Sequence, residues 1–389
     1  MKAINVKNSD IKNEITMNNL KITLIAGARP NFMKIAPILH AINTAIENGR
    51  NISYRLVHTG QHYDSKMSDT FFYELNIPLP NVNLECGGGT QAEQTAAILI
   101  AFEKELLANP ADLVIVVGDV TSTMACTIVA KKLNTKVAHV EAGIRSFDLT
   151  MPEEINRMVT DSITDYFFTT SVSANENLIR HGVDEDNIFF VGNVMIDTLL
   201  SNKKYFKPPH FFDTLNLSAG NYFVLTLHRP ANVDEGEKLK LLLNKIITHT
   251  NDFPIIFPIH PRTAGIFKDL GIEFDALKIV EPLGYLEFNY LVANSFAVIT
   301  DSGGITEETT VLGIPCLTLR DNTERPETVT VGTNELVGTN PENVKNALAV
   351  LFSNKWKKGA IPELWDGHAA ERIVEIIIKI YEKENISSL

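Results

Sequence analysis

The chain has 389 residues, 44% of them hydrophobic, which is enough for more than one buried core and for two domains. Its 35 basic and 47 acidic residues leave a formal charge of −12, arguing against a nucleic-acid surface but not against a phosphorylated small molecule held by a few local cations. Cys86, Cys126 and Cys316 form no CxxC or Cys/His pattern, so neither a disulfide framework nor a metal site is expected. No run reaches the roughly eighteen apolar residues of a membrane helix, and residues 1–20 are polar rather than signal-like. We expect a soluble, cytoplasmic protein without membrane insertion, preceded by a polar extension within which Met17 is an alternative start.

From Ile22 onward, apolar runs of strand length alternate with amphipathic segments of helix length. The strands predicted in the first half are 22–27, 53–58, 113–118, 136–141, 165–170 and 187–191. Helices are predicted near 32–46, 64–75, 91–107, 121–132, 153–163 and 173–181. Such alternation implies parallel strands joined by right-handed crossovers, with ligands at the carboxyl ends of the strands. After Gly192-Asn193 the pattern slackens through SNKKYFKPPHFFDTLNLSAGN, which reads as a linker.

A second set follows, with strands 222–227, 254–258, 277–280, 296–300 and 315–319 and helices near 234–249, 263–270, 285–293, 304–312 and 341–353. An amphipathic helix over 369–383 carries Ile373, Ile376, Ile377 and Ile380 on one stripe. The expected architecture is α/β: two Rossmann-like doubly wound domains, 21–200 and 201–365, facing a central cleft. Residues 366–389 are expected to pack back on the first domain.

The stretch AVITDSGGITEETTVLGIP reads as a strand, a Gly-rich turn and a short helix ended by Gly313 and Pro315. Asp301 or Ser302 is placed to cap that helix. Gly303 and Gly304 let backbone N–H groups approach an anion closely, and the helix start adds partial positive charge, so a diphosphate fits there. Glu307 and Glu308 suit the first turn of a helix and also the hydroxyls of a ribose.

At the first strand end, Gly27-Ala28-Arg29-Pro30-Asn31 is not a GxGxxG fingerprint, which gives no support for a nicotinamide or flavin cofactor. Arg29 and Lys34 flank that turn and are read as anion contacts. Pro37 interrupts the following helix, at a cost of about 3 kcal/mol unless the helix kinks.

Asp119 lies just past a buried strand, and the next strand delivers His139, Glu141 and Arg145. Pro152 opens a helix in which Glu153 and Glu154 suit the dipole and Glu153 has Arg157 four residues on. Capping accounts for Glu154. Asp119, Glu141 and Glu153 all come from the ligand-facing edge, where carboxylates gathered in a dry cleft raise one another's pKa and serve as general acid and base. In the second half, His228-Arg229 and His260-Pro261-Arg262 stand at equivalent strand ends, while His58 and His62 lie at another end in the first half.

The segments GARPNFMKIAPI, HTGQHYD, GDVTST, HVEAGIRSFDLTMPEEINR, GNVMIDTL, LHRPANVD, TDSGGITEE and RDNTERPETVTVGTN together resemble the non-hydrolysing UDP-N-acetylglucosamine 2-epimerases. The resemblance runs from about Lys21 to Gly338. It implies a glycosyltransferase-B type architecture, a UDP-sugar substrate, no cofactor or metal, and a homodimer. It also implies inversion at C2 by elimination of UDP to 2-acetamidoglucal and re-addition.

By the same resemblance Asp119, Glu141 and Glu153 are acid/base residues, and His228 stabilises the departing diphosphate. Arg29, Lys34, Ser302, Gly303 and Gly304 hold the substrate, and Glu308 contacts the ribose. His260, Tyr285, Arg320 and Arg325 are further binding residues. The sequence departs from the common pattern at Ala28, Asn31 and Phe32, at Thr306 where Gln is usual, and at Met151-Pro152, which replaces a longer Trp-Pro segment. Similar variants act on UDP-diacetamido-sugar uronates, so that substrate stays open, as does a UDP-sugar glycosyltransferase.

Overall fold

The computed structural model of the protein describes residues 19–60, 74–229, 232, 236–259, 267 and 274–387. The predicted helices 64–75 and 263–270 fall largely outside these residues. In the first half the chain forms Leu20–Ala26 (β1), Arg29–Glu47 (α1), Ile52–His58 (β2), Val82–Asn83 (β3), Gln91–Ala108 (α2), Leu113–Val117 (β4) and Thr121–Lys132 (α3). Lys136–Val140 (β5), Pro152–Ile163 (α4), Tyr166–Thr169 (β6), Val172–Arg180 (α5), Ile188–Phe190 (β7) and Val194–Asn202 (α6) follow.

The second half comprises Phe223–Thr226 (β8), Gly236–Thr248 (α7), Ile255–Pro258 (β9), Leu277–Val280 (β10), Tyr285–Ala293 (α8), Ala297–Thr300 (β11) and Gly303–Leu312 (α9). It continues with Cys316–Thr318 (β12), Pro326–Thr330 (α10), Asn334–Leu336 (β13), Pro341–Phe352 (α11) and Ala369–Ser387 (α12).

The strands form two parallel sheets, ordered β3-β2-β1-β4-β5-β6-β7 and β10-β9-β8-β11-β12-β13. Both reverse direction beside their first strand, between β1 and β4 and between β8 and β11. That is where ligands bind in doubly wound sheets. Strand β4 shows why the sheets are covered on both faces: Leu113, Ile115 and Val117 enter one core with α1, while Val114 and Val116 enter another with α2 and α3.

Helix α1 continues past Pro37 without interruption. The proline removes the N–H that would bond the Met33 carbonyl, and the Thr198 hydroxyl donates to that carbonyl instead, at 2.5 Å. Thr198 belongs to α6, a helix absent from the sequence reading because Val194, Met195, Ile196, Asp197, Thr198 and Leu199 are all buried and show no polar face. Met195 on the same helix approaches Gly304 of α9, so α6 reaches both halves.

The chain crosses back near residue 365. The indole N–H of buried Trp365 donates to the Thr170 carbonyl at 2.9 Å, and the Asp197 carboxylate receives the first N–H groups of α12 from Ala369 (3.1 Å) and Ala370 (2.7 Å). Helix α12 then buries Ile373, Val374 and Ile377 against the α1 face of the first sheet. Gly192 is required at this crossing: its φ is +93°, and a Cβ there would lie 2.0 Å from the Leu364 carbonyl oxygen. Strands β3 and β13 and helix α10 were also unforeseen, each too short for periodicity to register. Among the described residues no helix is long and apolar enough to cross a membrane.

Candidate active site

The first site element is the turn between β1 and α1. Asn31 is buried; its Oδ1 accepts the N–H groups of Gly27 (3.2 Å) and Ala28 (2.8 Å), and its Nδ2 donates to the Val117 carbonyl at 3.0 Å. One amide therefore ties the β1 turn to the end of β4 across the switch point. A carboxylate has no N–H for Val117, which explains Asn at this position. Lys34, one turn further on, reaches Glu141 Oε2 at 2.5 Å. Glu141 follows β5 with its side chain 2% exposed and with φ +69°, a left-handed conformation costing a non-glycine residue on the order of 1–2 kcal/mol. Strain of that kind concentrates at functional sites.

Asp119 follows β4 and is partly exposed at 31%. Arg157 of α4 grips it through Nε at 3.0 Å and a terminal nitrogen at 2.7 Å. Burial alone would raise the Asp119 pKa, but Arg157, Lys34 and Arg325 outweigh it and hold the carboxyl below its ordinary value. The expectation that neighbouring carboxylates raise one another's pKa is thus overturned for Asp119, because Arg157, Lys34 and Arg325 together act on it more strongly than burial does.

The reading of α4 is also corrected. Arg157 pairs with Glu154 at 2.6 Å rather than with Glu153. Glu154 is no mere cap: buried, it accepts the Ser146 N–H (2.9 Å), the Ser146 hydroxyl (3.0 Å) and the Phe147 N–H (3.1 Å), and so holds the loop after Glu141. Glu153 is exposed, and its charge acts on Arg229 of the second half.

At the second switch point His228 follows β8 and Asp301 follows β11. Asp301 is inaccessible; it receives His228 Nδ1 at 2.8 Å, the backbone N–H groups of His228 (3.1 Å) and Arg229 (3.0 Å), and Asn232 Nδ2 (3.0 Å). Desolvation works against its charge, but His228, Asn232 and Arg229 prevail and keep it below the usual carboxylate range. Asp301 therefore orients His228, whose side chain is 60% exposed, and does not cap α9. Ser302 occupies the N-cap position without a side-chain capping bond, which leaves the first N–H groups of α9 uncapped by side chain. A Cβ on Gly303 would stand 3.0 Å from Glu324 Oε1. Arg320 holds Glu324 at 2.5 Å, and although burial opposes ionisation, Arg320, Arg325 and Arg157 bring that carboxyl down to about 2.

The two halves meet at Arg325. One terminal nitrogen reaches Glu141 Oε2 at 3.2 Å and its Nε donates to Glu307, which Asn193 Nδ2 also fixes at 2.9 Å. Several buried polar atoms here make no hydrogen bond, namely Glu141 Oε1, the other terminal nitrogen of Arg325 and both oxygens of Glu327. Buried polar groups are normally paired, so this set is suited to a polar ligand. Glu308 is buried on α9, where desolvation raises its pKa to about 7 against the Tyr285 and Asn289 side chains.

Other candidates fall elsewhere. His139 is structural: Nδ1 meets Asp161 at 2.7 Å and Nε2 the Gly118 carbonyl at 2.8 Å, while Arg145 pairs with the same Asp161 at 2.6 Å. His58 is buried with its ring 5.2 Å from Phe32. His62, His260 and Arg262, and the Arg29 side chain, lie outside the described residues. The sequence reading took Asp301 as a cap, Glu307 as a first-turn or ribose carboxylate and Arg157 as a helix partner, and passed over Asn193; only Asp301 and Asn193 stand beside a recognised strand end. No group of three or more His, Cys, Asp or Glu among the described residues is placed to hold a metal ion.

Comparison with known proteins identifies the family. The family model described as UDP-N-acetylglucosamine 2-epimerase matches residues 44–378. UDP-N-acetylglucosamine 2-epimerase of Methanocaldococcus jannaschii is 45% identical over 372 residues, covering 92% of this chain and 99% of the relative. Its crystal structure in complex with UDP-GlcNAc and UDP superposes with a TM-score of 0.82 at 44% identity, covering 92% of this chain and 99% of that one. UDP-2,3-diacetamido-2,3-dideoxy-D-glucuronate 2-epimerase of Pseudomonas aeruginosa is 38% identical over 368 residues, covering 93% of this chain and all of the relative. With two Rossmann-like parallel sheets and matches of this extent, the chain belongs to the UDP-N-acetylglucosamine 2-epimerase family.

Proposed function

We propose that this protein interconverts UDP-N-acetylglucosamine and UDP-N-acetylmannosamine without hydrolysis. The observation that carries the reading is the meeting of Glu141, Lys34 and Arg325 between the two halves, with the His228–Asp301 pair at the second switch point. A base takes the C2 proton, the C1–C2 double bond forms, and the C1–O bond breaks with its electron pair leaving on the UDP oxygen. Return of a proton to the opposite face of C2 and addition of that oxygen to C1 complete the inversion. The acid/base roles fall to Asp119, Glu141 and Glu153. His228 and the α9 N–H groups behind Ser302, Gly303 and Gly304 meet the charge that builds on the diphosphate. Lys34, Arg29, Arg320, Arg325, Tyr285, His260 and Glu308 serve substrate binding.

We further infer the glycosyltransferase-B arrangement, with domains 21–200 and 201–365 and a returning C-terminal helix, and a cytoplasmic homodimer as the working unit. The halves touch through the Glu141–Arg325 and Asn193–Glu307 pairs and through Ile196 and Leu199 packed with Val311 and Leu312, so closure on the substrate pivots about that packed end. A second sugar has a specific observation behind it: the Pseudomonas relative is named for a diacetamido uronate. Incubation of the protein with each UDP-sugar, followed by chromatographic separation of the products, decides between them. UDP-N-acetylmannosamine from UDP-N-acetylglucosamine supports the first reading, while conversion of the uronate alone replaces it.

A further inference from the structure

Glu307 has no role in the chemistry described so far, yet it is 2% exposed and lies in the seam between the halves. It does not cap its helix. It accepts from Arg325 Nε and from Asn193 Nδ2, and Arg325 in turn reaches Glu141, which Lys34 holds from the other side. Two cations thus converge on the Glu141 carboxylate, and a second carboxylate shares one of them.

Building on the proposed epimerase function, we propose that Glu307 is a positioning residue acting through Arg325. It fixes the guanidinium at Glu141 and offsets part of its charge, so that Glu141 remains able to exchange a proton with C2. The charged groups around this chain are Lys34 on α1, Asp119 after β4, Arg157 on α4, and Glu324 and Glu327 beside Arg325. Glu307 also sits on α9, the helix whose glycine turn is assigned to the diphosphate. A single helix thus sets both the grip on the leaving group and the state of the acid/base carboxylate.

Two variants separate charge from reach. Glu307→Gln keeps an acceptor for Arg325 and Asn193 but loses the charge. We expect kcat to fall roughly 10- to 100-fold, the acidic limb of the kcat profile to move about one unit lower, and UDP affinity to stay within about threefold. Glu307→Asp keeps the charge but withdraws it by one methylene; kcat falls while the acidic limb stays in place. Should neither fold, Arg325→Lys, which lacks the planar fork that meets Glu307 and Glu141 through separate nitrogens, gives the same kcat loss. An unmoved profile with kcat within twofold of the wild type in the folded variants overturns the inference, as does a loss confined to UDP binding or thermal stability. A wild-type protein that turns over no UDP-N-acetylglucosamine overturns the functional reading and this inference with it, whereas active wild type with unaltered variants overturns this inference alone.

Discussion

Replacement of Asp301 by Asn tests whether the contact at the second switch point serves catalysis. The carboxylate accepts four groups at 2.8–3.1 Å, the ring and backbone nitrogens of His228, the Arg229 N–H and Asn232 Nδ2, and none of its surface is accessible. Asn has the same shape but only one acceptor oxygen, and it turns an NH2 toward partners that are themselves donors. A hydrogen bond to a buried charged acceptor contributes about 1.5–3 kcal/mol, so losing two implies a stability loss on the order of 3 kcal/mol.

His228 also loses the carboxylate that fixes its ring and turns Nε2 outward. A partner of that kind is worth roughly 10- to 100-fold, or about 1.4–2.7 kcal/mol of barrier. Denaturant unfolding and steady-state kinetics on UDP-N-acetylglucosamine read the two effects separately. Asp301 is held below its ordinary pKa, so its contribution to stability is present above that ordinary value and lost as pH falls through the lowered one. The acid end of the stability profile is therefore flatter in Asp301→Asn. Combining it with His228→Ala adds nothing to the kinetic defect of His228→Ala alone. A kcat within twofold of the wild type in Asp301→Asn refutes the reasoning.

Other perturbations have equally direct outcomes. Asp119→Asn, Glu141→Gln and Glu153→Gln should each abolish turnover while calorimetry still detects UDP binding; unchanged turnover in all three ends the acid/base assignment. Thr198→Val leaves the Met33 carbonyl without a donor and should cost about 1–2 kcal/mol in urea unfolding. Pro37→Ala in that background restores an N–H and recovers the loss, and additive effects would refute the pairing. Glu308 and Glu327 are raised to about 7 by burial, and Asp197 to about 6 by burial against its two backbone donors. Raised carboxyls contribute stability that is complete below their unfolded values and lost as pH climbs through the folded ones, so the melting temperature should fall between about pH 4 and pH 7. Glu308→Gln should remove part of that slope, worth at most about 3 kcal/mol, and an identical slope in the variant contradicts the assignment.

Much of the fold was legible because long strands with two buried faces, such as β1 and β4, repeat apolar residues too regularly to be loops. Helix α6 was not. A short helix buried all round has no polar stripe, and its neighbour SNKKYFKPP pulled the reading toward a linker. The candidate site was legible as strand ends, which located Asp119, Glu141, His228 and the Ser302-Gly303-Gly304 turn. What a single sequence conceals is pairing across the chain. Asp301 looked like a cap and is the partner of a histidine 73 residues away, and Glu307 looked like a helix-dipole carboxylate and accepts from Asn193 of the other half. Glu154 looked like a cap, but α4 turns it inward to hold the Ser146 loop, while Glu153 beside it is exposed.

Proton NMR of the purified protein with UDP-N-acetylglucosamine in D2O tests the central claim most directly. Reversible elimination predicts UDP-N-acetylmannosamine carrying deuterium at C2, together with deuterium entering the remaining UDP-N-acetylglucosamine at the same carbon. Release of free N-acetylmannosamine with UDP, or product that keeps its C2 proton, would contradict it.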